Sequence, residues 1–422
     1  NMILRRDGNS NLECCDFLAK NPAQVQMKGA TVGLMNPPYS QGTKADPSQY
    51  ELSFTEHLLD SLTVGARAAV IVPQSSMTGK SKAEQAFKAS IMKHHTLEGV
   101  ITCNTDTFYG VGVNPVIAVF TAGEPHDPDK VCKFIDFRDD GYEVRAHVGL
   151  VEGDSAKDKK QHLLDVWNGR IEAPSKFCVE STVKPEDEWL HSFYYFNDEI
   201  PTDADFEKSI GDYLTFEFSM VMQNREYLFE DSYVEKRIAE LGEEVKIPAL
   251  SEKDWRHFCV SNVFSKIQRG KRLKNADHIP GDIPYVSSTA NNNGVDDYIE
   301  ASQGTRVFKD CISLANSGSV GTAFYEPFSF VASDHVTSLK MENGSKFVYL
   351  FLVSTIEKQS SNFNFNREIN DLRIKKMQVM LPVTDSGDPD YEYMEQYAKN
   401  MMLRKYKKYL TFIGNHGEVR NV

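Results

Sequence analysis

Residues 30–40, ATVGLMNPPYS, decide how the first third of this 422-residue chain is read. The nearly uncharged run ATVGLM (30–35) is too short for a helix and ends in turn-forming residues, so it predicts a buried β-strand. Asn36-Pro37-Pro38-Tyr39 follows at once. Three comparable runs come later, AAVIVP (68–73), LEGVIT (97–102) and VIAVFT (116–121), and residues 50–62 and 81–94 between them read as helices. Strands alternating with helices predict an α/β fold, a doubly wound and mostly parallel sheet. Ligands bind such sheets at the carboxyl ends of their strands, where residues 36–39 fall.

Charge and composition bound the rest. Forty-seven Lys and Arg against sixty Asp and Glu leave −13, which argues against coating nucleic acid or anionic membrane by bulk electrostatics. The deficit is local: residues 1–149 hold 14 basic and 17 acidic side chains, 150–245 hold 10 and 23, and 246–422 hold 23 and 20. No run approaches the roughly 18 apolar residues of a membrane span, and residues 1–7 have no signal-peptide core. Seven cysteines without a C-x-x-C pair or a ligand-spaced histidine predict no metal site and fit a reducing cytoplasm. From about 151 the sequence becomes charged and aromatic without period-two alternation, predicting helices joined by Pro and Gly turns. From about 246 short strands with Asn, Ser and Gly turns are expected, closing on a helix over 391–412.

The position of NPPY suggests a specific chemistry. The exocyclic amine of adenine is a poor nucleophile because its lone pair is delocalised into the ring. The Asn36 side-chain carbonyl and the Pro37 backbone carbonyl can accept its two N–H bonds and point the lone pair at an incoming methyl group, a gain made mainly in the transition state. Pro37 and Pro38 stiffen the turn, and Tyr39 offers a face on which an extracted base can stack. Asn and Pro are also ordinary turn residues, so four letters leave a simple strand-to-loop turn open. Upstream, LECCDFL (12–18) places Asp16 and Phe17 where they can meet a cofactor adenine. Downstream, TDTFYGVGVNPVIAVF (105–120) places Phe108 to clamp the other face of the base, core packing being its plain alternative.

As an ordered set, D-F-L, N-P-P-Y, A-A-V-I-V-P and F-x-G-x-G-V-x-P over residues 1–125 resemble the later half of the amino-group DNA methyltransferases that make N6-methyladenine, closest to those of type I and type IIG restriction-modification systems. The resemblance implies that Asn36, Pro37, Pro38 and Tyr39 are the catalytic motif, Phe108 the second stacking residue, and Asp16 and Phe17 contacts to the adenine of S-adenosylmethionine. Such enzymes carry a glycine-rich cofactor loop and a ribose-binding acid before D-F-L. Residues 1–11 (NMILRRDGNSN) supply neither, so the chain is expected to be the carboxyl-terminal part of a methyltransferase that binds cofactor poorly alone.

Residues 250–382 contain a basic entry (Lys266, Arg269, Lys271, Arg272, Lys274) and then hydroxyl and amide side chains over 287–293. Phosphates attract the former, and base edges are read by the latter. A solvated surface turn is the plain alternative for the basic cluster. R-G-K-R, P-Y-x-S and the N-x-G turn are similar to a target-recognition domain of type I restriction specificity subunits. Arg269, Lys271 and Arg272 are therefore expected at phosphates, and Ser288, Thr289 and Asn291 near bases. No PD…E-x-K nuclease pattern is present at Pro128-Asp129 or Pro389-Asp390.

The expectation is a three-part, cytoplasmic, double-stranded-DNA enzyme: a partial doubly wound methyltransferase sheet (1–149), an acidic helical spacer (150–245), and an α+β target-recognition domain with a terminal helix (246–422). A separate methyltransferase or nuclease polypeptide is its expected partner. Two alternatives stand beside it, a catalytically incomplete DNA-specificity subunit and the same NPPY chemistry applied to a protein glutamine.

Overall fold

The computed structural model describes residues 14–416 except 27, 44, 80, 109–111, 146–147, 230–240, 302–303 and 364–367, with side chains described to residue 408. The chain divides into two compact units, residues 1–195 and 196–422.

The first unit is built on β1 (Val32–Met35), β2 (Arg67–Pro73), β3 (Thr96–Cys103), β4 (Pro115–Thr121), β5 (Cys132–Phe137) and β8 (Cys178–Ser181), ordered β1-β2-β4-β3-β5-β8. Strands β6 (Tyr142–Arg145) and β7 (Gly149–Glu152) form a separate hairpin. β1, β2, β3 and β5 point one way, while β4 and β8 run against their neighbours. The four runs read from the sequence are all strands, but the first, β1, is not buried as expected, since Val32 and Leu34 are exposed at the sheet edge, and the last, β4, is antiparallel. The reason is its connection: residues 104–114 hold no crossover helix among the described residues, and a short link returns a strand antiparallel.

Helices Glu51–Asp60 and Lys82–His94 cover one face of this sheet, burying Leu52, Leu59 and Ile91 against Val70, Val72, Val100 and Phe120. Ser81 starts the second helix with a capping box: its hydroxyl accepts from Glu84 N at 3.1 Å, and the Glu84 carboxylate accepts from Ser81 N at 2.8 Å. On the other face, helix Ala156–Trp167 covers β3 and β5 through Val166, Ile101 and Ile135. Among the described residues no strand pairs with the outer edge of β1, where Val32 is 74% and Leu34 84% exposed.

The acidic stretch 150–245 is not a separate spacer; the two units share it. β8 pairs with β5, and the buried Trp189 joins the core of the first unit. Helix Asp203–Met222 belongs to the second unit, where Phe206, Ile210, Tyr213, Phe216 and Met220 form one buried stripe at helical spacing; of its acids only Glu217 is buried with them, accepting from Tyr213 and Tyr406.

The second unit contains two four-stranded sheets. β10 (Lys266–Arg269), β17 (Val336–Lys340), β14 (Cys311–Ala315) and β15 (Ala323–Glu326) lie in that order in one. β12 (Val295–Ile299), β11 (Pro280–Val286), β16 (Phe330–Ala332) and β13 (Val307–Phe308) make the other. β9 (Trp255–Cys259) and β18 (Gln378–Pro382) form a ribbon. Helix Lys346–Glu357 is buried continuously from Val348 to Ile356, as a helix apolar on all sides must be. It packs on helices Asp203–Met222 and Tyr391–His416, with the Phe206 ring 4.5 Å from Phe351 and 4.9 Å from Tyr397.

Candidate active site and nucleic-acid interface

Residues 36–39 leave β1 at the carboxyl edge of the sheet, where β2, β3 and β5 also end. Asn36 is exposed, Pro37 buried, Pro38 exposed and Tyr39 half-buried. The Tyr39 hydroxyl donates to the Ile71 carbonyl of β2 at 3.1 Å, which pins the ring to the neighbouring strand. Burial pushes that phenol up to about 12, helped by the nearby Glu51 carboxylate and Cys103, so Tyr39 is neutral at physiological pH. The next residue turns left-handed, with Ser40 at φ 58°, and its N–H donates to Glu51 Oε1 at 2.8 Å. Glu51 Oε2 accepts from the Ser76 hydroxyl at 3.4 Å. Gly42 follows where a side chain cannot fit, because a Cβ would lie 2.0 Å from the Tyr50 ring.

Phe108 arrives from the turn after β3 and stands beside Tyr39, with ring centroids 5.9 Å apart and planes at 78°. Asn104 anchors that turn: its carbonyl accepts from Thr107, and its amide donates to Asp140 Oδ1 beyond β5 at 2.9 Å. The sheet thus brings together two aromatics 69 positions apart. They meet edge to face and not as parallel plates. Tyr109, Gly110 and Val111 of the same motif lie outside the described residues.

Asp16 and Phe17 sit in a turn where Asp16 Oδ1 accepts from Leu18 N at 3.1 Å. The Phe17 ring lies edge-on to His57 at 4.7 Å, and His57 Nε2 is buried with no hydrogen-bond partner among the described residues. An apolar ring, an exposed carboxylate and an unpaired imidazole nitrogen fit the adenine end of a nucleoside cofactor. Residues 1–13 lie outside the description.

In the second unit the basic and polar candidates converge through backbone bonds. Lys271 N donates to Ala332 O, and Ser333 N donates to Val286 O, so the loops after β10 and β11 flank the same short turn. Lys271, Arg272 and Asn291 are exposed there, with Ser288 and Thr289 half-buried between them. Thr289 Oγ1 accepts from Asn291 N at 3.2 Å, which shapes the loop. Arg269 differs from its neighbours. It is half-buried in β10, and its Nε donates to the Asp334 carbonyl at 2.5 Å, so part of its guanidinium holds the turn.

Comparison with known families agrees with this geometry. The family described as N-6 DNA Methylase matches residues 3–215, just over half of the chain, and the type I restriction modification DNA specificity domain matches residues 252–409. The chain belongs to the N-6 DNA methylase family. It is 49% identical over 232 residues to the type II restriction enzyme and methyltransferase RM.BcgI of Heyndrickxia coagulans, covering 54% of this chain and 36% of that protein. It is 32% identical over 197 residues to the specificity subunit S.BcgI of the same organism, covering 46% of this chain and 55% of that one. The chain therefore spans about a third and about half of these two relatives. Among solved structures, a type I methyltransferase subunit from Streptococcus thermophilus aligns over 42% of this chain and 39% of its own, with 17% identity and a TM-score of 0.35. In this chain, then, an adenine N6-methyltransferase segment is followed by a specificity domain.

Sequence reasoning missed Glu51, which reads as an ordinary helix-start acid but clamps the exit of the NPPY turn. It also missed Glu326, completely buried in β15, whose carboxylate accepts from Ser313 at 2.9 Å and from the Asn293 amide at 3.0 Å. No sequence signal distinguishes Glu326 from a surface acid.

Proposed function

We propose that this chain supplies the catalytic turn and the target-recognition surface of an adenine-specific DNA N6-methyltransferase in a cytoplasmic restriction-modification system. The observation that carries this is the placement of Asn36-Pro37-Pro38-Tyr39 at the carboxyl end of β1, with Tyr39 pinned to β2 and Phe108 beside it. Asn36 Oδ1 and the Pro37 carbonyl accept the two N–H bonds of a flipped adenine amine. The exposed Asn36 amide makes no bond to the described residues and is available to accept from the substrate, while Pro37 is held rigid by its ring and by burial, so its carbonyl is set before the substrate arrives. Tyr39 stacks the base, and its neutral, anchored hydroxyl keeps the ring from turning. Phe108 swings from its edge-on contact to cover the other face. Bound S-adenosylmethionine supplies an electrophilic methyl group, and Asp16 and Phe17 hold its adenine. Lys271 and Arg272 meet phosphates, Arg269 shares in this through its free guanidinium nitrogens, and Ser288, Thr289 and Asn291 approach base edges.

The open β1 edge supports a partner. Among the described residues nothing pairs with this edge, where Val32 and Leu34 are exposed, and a further methyltransferase segment that adds a strand there would bury part of both side chains. That segment is the proposed source of the glycine-rich cofactor loop.

Expression with such a segment in a host without adenine methylation tests the reading, with modified bases mapped by modification-sensitive sequencing. N6-methyladenine at one sequence motif is expected. Asn36→Ala should reduce it by at least 10²-fold, on the order of removing one oriented transition-state hydrogen bond, while duplex binding stays near normal. Undiminished methylation by Asn36→Ala refutes the assigned role, and sequence-specific binding without any methylation favours a recognition-only protein.

A further inference from the structure

The turn between β16 and β17 carries a group that the recognition reading leaves unused. His335 projects from it with its side chain 54% exposed. Its Nδ1 lies 2.5 Å from the hydroxyl of Ser317, which is itself 6% exposed. Ser317 belongs to the loop 316–321 after β14, so the imidazole is held by a second element. The two loops are tied again by Asn316 N, which donates to His335 O at 2.7 Å. That loop in turn rests on the one after β11, since Ser319 N donates to Ser288 O at 3.1 Å. Gly318 permits the approach: at φ 65°, a Cβ there would stand 2.7 Å from Ser288 Oγ. His335 therefore shares one end of the unit with Ser288, Lys271 and Arg272.

Two further features give this spot its character. Asn316 is 1% exposed, yet neither atom of its amide has a hydrogen-bond partner among the described residues, an unusual state for a buried polar group and one that concentrates at working sites. The Asp334 carboxylate lies 3.9 Å from His335 Nε2, too far to consume that nitrogen. A carboxylate beside the imidazole repels phosphate. A base edge is different: in the tautomer that accepts from the Ser317 hydroxyl at Nδ1, Nε2–H is an outward donor, and Asp334 is an acceptor next to it. Neighbouring donor and acceptor complement the acceptor and donor of adenine N7 and N6–H, or of guanine O6 and cytosine N4–H, in the major groove.

We infer that His335, oriented by Ser317 and with the Asp334 carboxylate beside it, is a specificity-determining residue that reads one base pair of the target duplex. The inference rests on the proposed recognition role of this unit. It assigns to the turn 333–335 a base contact, where the basic loop 270–272 only positions the backbone.

Selection from a random duplex library with the full chain at low salt, followed by titration of the selected site, tests it. Wild-type protein is expected to yield a defined motif. His335→Ala should relax the preference at a single base pair by about tenfold or more, leaving the other positions and the salt dependence unchanged. Ser317→Ala, which keeps the imidazole but frees it, should relax the same position less. Lys271→Ala with Arg272→Ala should weaken all sequences alike and flatten the salt dependence. An unaltered motif in His335→Ala, or uniform weakening with a reduced salt slope, overturns the base-reading role while leaving the recognition function standing. A wild-type chain without any sequence preference sinks the recognition function itself.

Discussion

Replacing Glu326 with Gln should remove a pH dependence from the stability of the second unit. Burial pushes this carboxyl from 4.5 up to about 8, although the hydrogen bonds from Ser313 and Asn293 pull the other way. Between those values the unfolded chain has released the proton that the folded chain still holds. The folded state binds more protons there, so stability is intact below about pH 4.5 and falls as pH rises toward 8. A single proton gives a slope of roughly 1.4 kcal/mol per pH unit, and the whole window amounts to a loss on the order of 4–5 kcal/mol. Glu326→Gln keeps the shape, accepts from Asn293 through its carbonyl and donates to Ser313, whose hydroxyl can reverse. At pH 5 the variant should match wild type within about 1 kcal/mol; at pH 8 it should be the more stable by several. Hydrogen exchange of the strands Cys311–Ala315 and Ala323–Glu326 in moderate urea, corrected for the intrinsic pH dependence of exchange, reads this directly. Because Asn293 sits left-handed at φ 53° and its amide bonds to Tyr325 O and Glu326, the loop 291–294 should loosen in step. Parallel pH profiles for wild type and variant would refute the reasoning.

Glu51→Ala should free Ser40 from its left-handed turn and let the Tyr39 ring move, cutting the fluorescence rise of 2-aminopurine placed at the target adenine; Glu51→Gln, which keeps an acceptor for Ser40 N, should retain most of it. Both changes remove a negative charge, so the Tyr39 phenol should titrate below its present value of about 12, measured by ultraviolet difference titration against Tyr39→Phe. In the first unit, Lys88 is fully buried, donates to the carbonyls of Met77 and Asp187, and lies 4.5 Å from the Trp189 ring. Lys88→Met removes the ammonium donor from both carbonyls, although Met77 O still accepts from Trp189 N, and should destabilise the unit by about 1–3 kcal/mol in thermal unfolding. Burial lowers the Lys88 amine to about 8 from 10.5, so the unfolded chain holds a proton in that interval that the folded chain has shed. Wild-type stability should therefore gain a rising contribution with pH there, and Lys88→Met should lose it.

Much of the catalytic half was legible because its signals are local. Val70, Val72, Val116 and Phe120 sit in short apolar runs that form buried strands; the run before NPPY is also a strand, although Val32 and Leu34 in it are exposed. The basic segment Arg269-Gly270-Lys271-Arg272 and the polar segment 287–291 were each legible for the same reason, as each is continuous, while their convergence is tertiary. The acidic stretch misled because net charge is an average over a helix: Phe206, Ile210, Tyr213, Phe216 and Met220 carry the packing while Asp203, Asp205, Glu207 and Asp212 lie off that stripe and set the charge. Lys88 and Glu326 were invisible, since a charged residue inside a fold is recognised only by the partners that surround it.

The sequence by itself determined the strand content, the place of the NPPY turn at a strand end, and the basic and amide-rich character of the recognition loops. These follow from residue periodicity and turn chemistry within a dozen positions. Tertiary structure alone decided that β4 runs antiparallel and brings Phe108 to Tyr39, that Glu51 holds Ser40, and that Ser317 holds His335. Each of those joins segments from 11 to 69 residues apart, and which segments meet depends on how the sheets close over a shared core, a choice made by the whole unit and written in no single stretch of it.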